Sequence, residues 1–226
     1  MSLRILSLSI CGAMLALLPG LTASTASTAS WMRGALAVAA VEGEVVVDVV
    51  GAEPARLRAS GPLPCYFSGL LKLQLERRSD AVALQASNQV AIALAGASAL
   101  AVERFEQQLE PSSADSQSRM LLNFRHGELV VDSRAMPDGG RLIVETPFGR
   151  VALLNGWWLM QLTYDQRSDL YHFAFECADG VLRLTDRLGV NYTLRRGQRL
   201  YGVGTPFNPA IQVAQLSEEG RVRLDA

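Results

Sequence analysis

The chain has 226 residues, of which 49% are hydrophobic and 19% are charged, so it is long enough for one domain with a sizeable core. Its formal net charge of -1 and pI of about 6.1 give no general attraction to nucleic acid or to anionic membranes. Lys72 is the single lysine among the 21 basic residues. Because the arginines are scattered along the sequence among acidic residues, we attribute them to coding bias and not to an anion-binding surface.

Residues 1–26 have the features of a secretory signal peptide. Arg4 supplies the positive charge, a short apolar run follows, and small residues come after it. Ser24 and Ala26 suit the positions three and one before a cleavage site, and a second candidate site lies near Ala37. We therefore expect a periplasmic or secreted protein that has no membrane span after signal cleavage.

Composition divides the rest of the chain into three parts. We expect residues 27–40 to be a flexible lead-in, residues 41–204 to form a β domain, and residues 205–226 to be a loose tail. The tail contains Pro206 and Pro209 and few apolar anchors, and it has one further strand signal at its end. That signal predicts a strand at Val222 to Leu224.

A short motif occurs four times. Each copy has a glycine, one further residue, and then apolar residues that alternate with polar ones. The copies are VEGEVVVD at Val41, RHGELVVD at Arg125, ADGVLRLT at Ala178 and EEGRVRLD at Glu218. A turn followed by a short strand, repeated in this way, predicts a β architecture of similar units. The unequal spacing of the copies is against a regular propeller or strict solenoid.

Alternation is most regular between Ala81 and Val102, where bulky aliphatic residues occupy even positions and alanines occupy odd ones. This period of two, interrupted at Ser87 and Asn88 and again at Gly96, predicts three strands with one bulky and one small face. The alanine content also leaves a helix as an alternative. The small face would either accept a neighbouring layer closely or stay half-exposed.

The stretch from Arg141 to Leu162 has two apolar runs separated by a turn signal. Pro147 cannot donate a hydrogen bond to a sheet and favours extended backbone at Thr146, and Gly149 can adopt a positive φ. The stretch therefore predicts a strand, a tight bend and a second strand.

The order of these pieces resembles the FecR domain, a periplasmic module of bacterial transmembrane sigma regulators that also occurs in other envelope proteins. Four segments carry the resemblance: Leu94 to Val102, with its S-x-L at Ser98; Arg119 to Asp132, with Gly127 and Glu128; the T-P-x-G of Thr146, Pro147 and Gly149; and Gly180 to Leu184 with Gly197 and Gln198. The usual Asp-Gly turn and the G-T-x-F-x-V strand are replaced here, at Asn88 and at Gly156. The resemblance implies an all-β, solenoid-like or layered fold of short strands and an exported location, but not control of a sigma factor.

Residues suited to catalysis or metal binding are few. His126 and His172 belong to no HExxH motif or Cys/His cluster, and there is no nucleophile elbow or phosphate-binding loop. We therefore expect no enzyme activity, no metal and no cofactor. Export would leave Cys65 and Cys177, which either form one disulfide or are two small buried side chains.

Aromatic residues are the best candidates for binding: Trp157 and Trp158, with Tyr164 and Tyr171. Adjacent residues on a strand point to opposite faces, so one tryptophan is expected in the core and the other at the surface. Two hypotheses follow. The chain is an exported, non-enzymatic β module that binds an envelope protein through strand edges and exposed aromatics, or it binds carbohydrate such as peptidoglycan through Trp157 or Trp158.

Overall fold

The computed structural model describes residues 30–61, 63, 65–68, 70–108 and 116–217. In this part of the chain every regular element is a β-strand, which confirms the all-β prediction. The strands are β1 (Met32–Arg33), β2 (Ala35–Glu42), β3 (Glu44–Val49), β4 (Ala55–Arg58), β5 (Cys65–Ser68), β6 (Leu71–Leu75), β7 (Ala81–Ala86), β8 (Ala91–Gln108), β9 (Gln117–Asp132), β10 (Gly139–Thr146), β11 (Gly149–Asp165), β12 (Leu170–Asp186), β13 (Asn191–Arg195), β14 (Gln198–Thr205) and β15 (Asn208–Gln215). Among the described residues there is no helix of the length and apolar character that a membrane span requires.

One hydrogen-bonded sheet contains these strands, and it folds over on itself into two layers, A and B. Layer A has the order β4, β3, β6, the second half of β8, the first half of β9, β10, the first half of β11, the second half of β12, and β13. Layer B has the order β5, β2, β7, the first half of β8, the second halves of β9 and β11, the first half of β12, β14 and β15. Four long strands therefore run through both layers.

Side chains from the two layers meet in one core. The ring of Phe148 lies at the β10–β11 turn of layer A, and its centroid is 4.0 Å from the ring centroid of Phe173 in layer B. The buried Asn88, in the β7–β8 turn, donates a hydrogen bond of 3.2 Å to Ser118 at the far end of β9. The inward-facing aliphatic residues of both layers form a single buried cluster. Each of these side chains contributes about 2 kcal/mol when it is removed from water.

Glycines allow the long strands to bend from one layer into the other. The pairing of β11 shifts register between Leu154 and Trp157, opposite Gly180 on β12. A Cβ on Gly156 would lie 2.1 Å from the carbonyl oxygen of Asp179, and Gly180 has a φ of +80°. Only glycine tolerates both the close approach and the positive φ without strain.

These bends correct the prediction of separate short strands. The motif glycines Gly127 and Gly180 lie inside β9 and β12, where the sequence predicted turns between strands. The interruption predicted at Gly96 is likewise a bend within β8, whereas the one at Ser87 and Asn88 is a turn between β7 and β8. Alternation continues on both sides of a bent strand, so a sequence pattern cannot distinguish a bend from a break.

Two of the predicted boundaries are also wrong. Residues 27–40 are not simply a flexible lead-in, because Leu36 and Val38 of β2 are buried in the core and β2 pairs with β7. Residues 205–226 are not simply a loose tail, because β15 pairs with β14 along its whole length. The predicted signal peptide, residues 1–26, and the strand expected at Val222 to Leu224 lie outside the described residues.

Candidate functional site

The strand β15 forms one edge of layer B. It is eight residues long, contains no charged side chain, and within the described residues pairs only with β14. Such an edge presents a row of backbone N–H and C=O groups to which another extended segment can bond. We therefore consider β15 first as a candidate site.

The direction of the backbone groups in β15 follows from its pairing. The β14–β15 hairpin has a two-residue loop closed by Thr205 and Asn208, and the N–H of Leu216 donates to the carbonyl of Gly197 at 2.8 Å. In an antiparallel pair, hydrogen-bonded positions recur every second residue. The even-numbered residues of β15 therefore bond to β14, and the odd-numbered ones direct their N–H and C=O groups outward.

Outward groups belong to Ile211, Val213 and Gln215, while Pro209 has no N–H to offer. The side chain of Ile211 packs against the core, but Val213 is 49% exposed. An edge strand with an aliphatic side chain this exposed gains buried apolar area when a further strand is added. The open edge therefore has about five residues available for pairing.

Among the described residues, the three other edge strands longer than two residues are less suited to pairing. β5 has four residues and β13 has five. β4 has four residues, and Arg56 and Arg58 on it form ion pairs with Glu44 of β3. Short strands and charged side chains are the usual protection of sheet edges. β15 lacks both features.

The two tryptophans have different environments. Trp158 is 0% exposed and part of the core, so its ring cannot stack on a sugar in the folded protein. Trp157 is on the outer face of layer B, where it is half-buried beside Leu159 and Leu216. Trp158 is thus the core tryptophan that the alternation predicted. Trp157 faces outward as predicted, but its side chain is half-buried.

The two tyrosines lie at the β11–β12 hairpin, where they are register partners. Tyr164 is 42% exposed, and its ring centroid is 4.9 Å from that of Tyr171. The Tyr164 hydroxyl donates to Asp169 at 2.5 Å, and this hydrogen bond raises the pKa of the phenol. Asp165 accepts from Ser168 and from a backbone N–H, which lowers the pKa of its carboxyl. An exposed ring beside two carboxylates has the features of a small sugar-stacking site.

No disulfide joins Cys65 and Cys177, and the topology explains why. Cys65 lies on β5, which pairs with β2, whereas Cys177 lies on β12 opposite Trp158, and no strand of the described residues pairs with both. Cys177 is fully buried, and its thiol lies beside the Trp158 indole. Burial raises the pKa of the Cys177 thiol to about 11. The alternative of two small buried side chains therefore holds for Cys177, whereas Cys65 is only partly buried.

Both histidines lie at the surface. His126 is exposed at the bend of β9, and His172 is exposed on the outer face of β12. In the described ranges no three side chains of His, Cys, Asp or Glu come together as a metal site would require. The sequence did not predict the β15 edge as a binding site, although the alternation of Ile211 and Val213 after Pro209 indicated a strand there.

Comparison with known proteins found no matching family model and no matching curated protein. Two crystal structures are similar, both of "a putative anti-sigma factor" from Parabacteroides distasonis, and each is 15% identical to this chain. The first has a TM-score of 0.48 and the match covers 67% of this chain; the second has a TM-score of 0.46 and covers 66%. The chain spans 62% and 61% of the length of these two structures.

Proposed function

We propose that the chain is an exported, non-enzymatic module of FecR type that binds another protein of the bacterial cell envelope and takes part in signalling there. The observation that supports this proposal is the open edge of β15, which is long, uncharged and partly apolar. The partner would add an extended segment to layer B. Its backbone would bond to Ile211, Val213 and Gln215.

A proline substitution tests the proposal by removing a single backbone N–H of β15. Val213→Pro removes an N–H that points outward and leaves the even-numbered bonds to β14 in place. Val213→Thr is the matched control, because it keeps the N–H and the β-branched shape. We expect the tagged chain and the threonine variant to recover the same partner from the envelope fraction, and the proline variant to recover at least about tenfold less.

Equal recovery by the proline and threonine variants, with equal melting temperatures, would remove β15 from the proposal. Amide exchange adds a check on the geometry. In the isolated chain the N–H groups of Gln212 and Ala214 should exchange slowly, and those of Val213 and Gln215 quickly. Binding of the partner should slow exchange at Val213 and Gln215.

A second candidate function is glycan binding at the β11–β12 hairpin. The exposed ring of Tyr164 with Asp165 and Asp169 beside it supports this alternative, in place of the buried Trp158. Affinity electrophoresis in a gel containing peptidoglycan fragments tests it. Retardation lost in Tyr164→Ala and kept in Tyr66→Ala, an equally simple change at an exposed tyrosine of β5, would favour the glycan function.

A further inference from the structure

The outer face of layer A combines an apolar floor with a rim of arginines, and we name it the arginine-rimmed face. Its residues alternate with buried ones along β8 to β13 and point away from the core. The floor consists of Leu121, Ile143, Ala152, Leu154 and Val181, and the rim of Arg104, Arg119, Arg141, Arg183 and Arg195.

The register places these residues in adjacent rows. One row runs from Arg104 through the floor residues Leu121, Ile143 and Ala152 to Arg183. Strands lie about 4.8 Å apart, so the two arginines at the ends of this row are roughly 19 Å apart. In the next row Leu154, which is 43% exposed, pairs with Val181, and Val181 pairs with Arg195.

Most of the rim is not neutralised. Within the described residues no carboxylate lies at ion-pair distance from Arg104, Arg141, Arg183 or Arg195. The Arg119 guanidinium stacks 4.2 Å above the ring of Trp31. The nearby Glu145 is paired with Arg150, another arginine of the same face. Along β8 to β13 this face has six arginines, Arg150 included, and three carboxylates, Glu103, Glu106 and Glu145, with Glu106 opposite Arg119. This side of the molecule is therefore positive although the whole chain has a net charge of -1.

We propose that the arginine-rimmed face docks on the surface of a bilayer that contains anionic phospholipids. Guanidinium groups bind phosphates with two parallel hydrogen bonds, and their long side chains reach beyond the apolar floor. A planar array of phosphates can be contacted by the whole rim at once. The apolar floor can contact the acyl-chain boundary of a bilayer, whereas it would find no apolar partner along the phosphate backbone of a nucleic acid.

Vesicle co-sedimentation tests the proposal. The chain without residues 1–26 is mixed with vesicles of phosphatidylglycerol and phosphatidylcholine in equal parts, or of phosphatidylcholine alone. An arginine near an anionic surface strengthens binding about fivefold, so Arg141→Gln with Arg183→Gln should weaken binding to the mixed vesicles about 25-fold. The matched control, Arg77→Gln with Arg78→Gln in the β6–β7 turn, removes the same charge and should change binding less than about twofold.

Three results would overturn the proposal: no binding of the chain to the mixed vesicles in 50 mM salt, equal binding to both kinds of vesicle, or equal loss in both double variants. Binding to soluble poly-L-glutamate without binding to vesicles would assign the face to an acidic protein instead. Val213→Pro should bind vesicles like the unchanged chain, because β15 lies in the other layer. The lipid proposal and the strand-addition proposal can therefore fail separately.

Discussion

The two outer faces of the molecule share one pattern of alternation but differ in chemistry. The outer face of layer A has the arginine rim, whereas that of layer B is rich in alanine, with Ala83, Ala93, Val130 and Leu159 in one register row. We name this row and its neighbours Ala81, Ala91 and Ala95 the alanine-rich face. Six arginines that are far apart in sequence thus share one face in space, because alternate residues of neighbouring strands point to the same side. Net charge alone concealed this arrangement.

The largest effect on stability is expected from a lysine on the core-facing side of β7, compared with a lysine on the outer side of β8. Ala86 is 3% exposed and points into the core, so Ala86→Lys should destabilise the protein by about 4 kcal/mol or more through burial of an unpaired charge. Ala93→Lys on the alanine-rich face should cost about 1 kcal/mol or less, because the ammonium group can reach water. Urea unfolding measures both. A large cost at Ala93 would show that the alanine-rich face is covered.

A methyl group at the bend gives the next largest effect. Gly180→Ala places a Cβ 2.1 Å from the Asn155 carbonyl oxygen at a φ of +80°, and should cost about 3 kcal/mol or more. Gly189→Ala is the matched control, because its φ is +82° and nothing lies within 4 Å of the added atom. We expect about 1 kcal/mol there. Similar unfolding free energies for the two variants would mean that the bend is not tightly packed.

The two cysteines should differ in reactivity, because Cys177 lies inside layer B and Cys65 lies on its edge strand β5. Cys65 is partly exposed and should react with a disulfide reagent at pH 8, whereas the buried Cys177 should react only after unfolding. The folded thiol has its pKa raised to about 11 from an ordinary value of 9.0. Its stabilising contribution is complete below pH 9 and is lost as the pH rises towards 11.

The control for this pH dependence is Cys177→Ala, in which the contribution is absent. The free energy of unfolding of the unchanged chain should fall more steeply between pH 9 and 11 than that of the variant. Parallel curves, or rapid labelling of Cys177 in the folded chain, would contradict the buried position of this thiol.

The smallest effect concerns an ion pair of layer A. Hydrogen bonds from Arg56 and Arg58 lower the pKa of Glu44, so its contribution is present above the ordinary value of 4.5 and is lost as the pH falls through the lowered value. The unchanged chain should therefore melt slightly above Glu44→Gln at pH 7, and this difference should vanish in acid. A difference in melting temperature that persists at pH 2 would point to a role of Glu44 other than charge pairing.

Much of the fold was predictable from particular residues. The even and odd positions from Ala81 to Val102 predicted extended strands with a small face, although not that β8 continues through Gly96. Thr146 and Gly149 do pair across the β10–β11 turn. The candidate sites were harder to predict. The outward residues of β11 are even-numbered up to Leu154 and odd-numbered from Trp157, because the register shift at the bend changes which residues face out.

By itself the sequence determined that the chain forms strands with one bulky side, because a period of two leaves a helix no continuous apolar stripe. Only the tertiary structure decided that four of these strands bend into two layers, that β15 is an open edge, and that six arginines share one outer face. Those properties depend on which strands become neighbours and on where their registers shift. Neighbour and register are set by contacts between residues far apart in the chain, which local alternation does not encode.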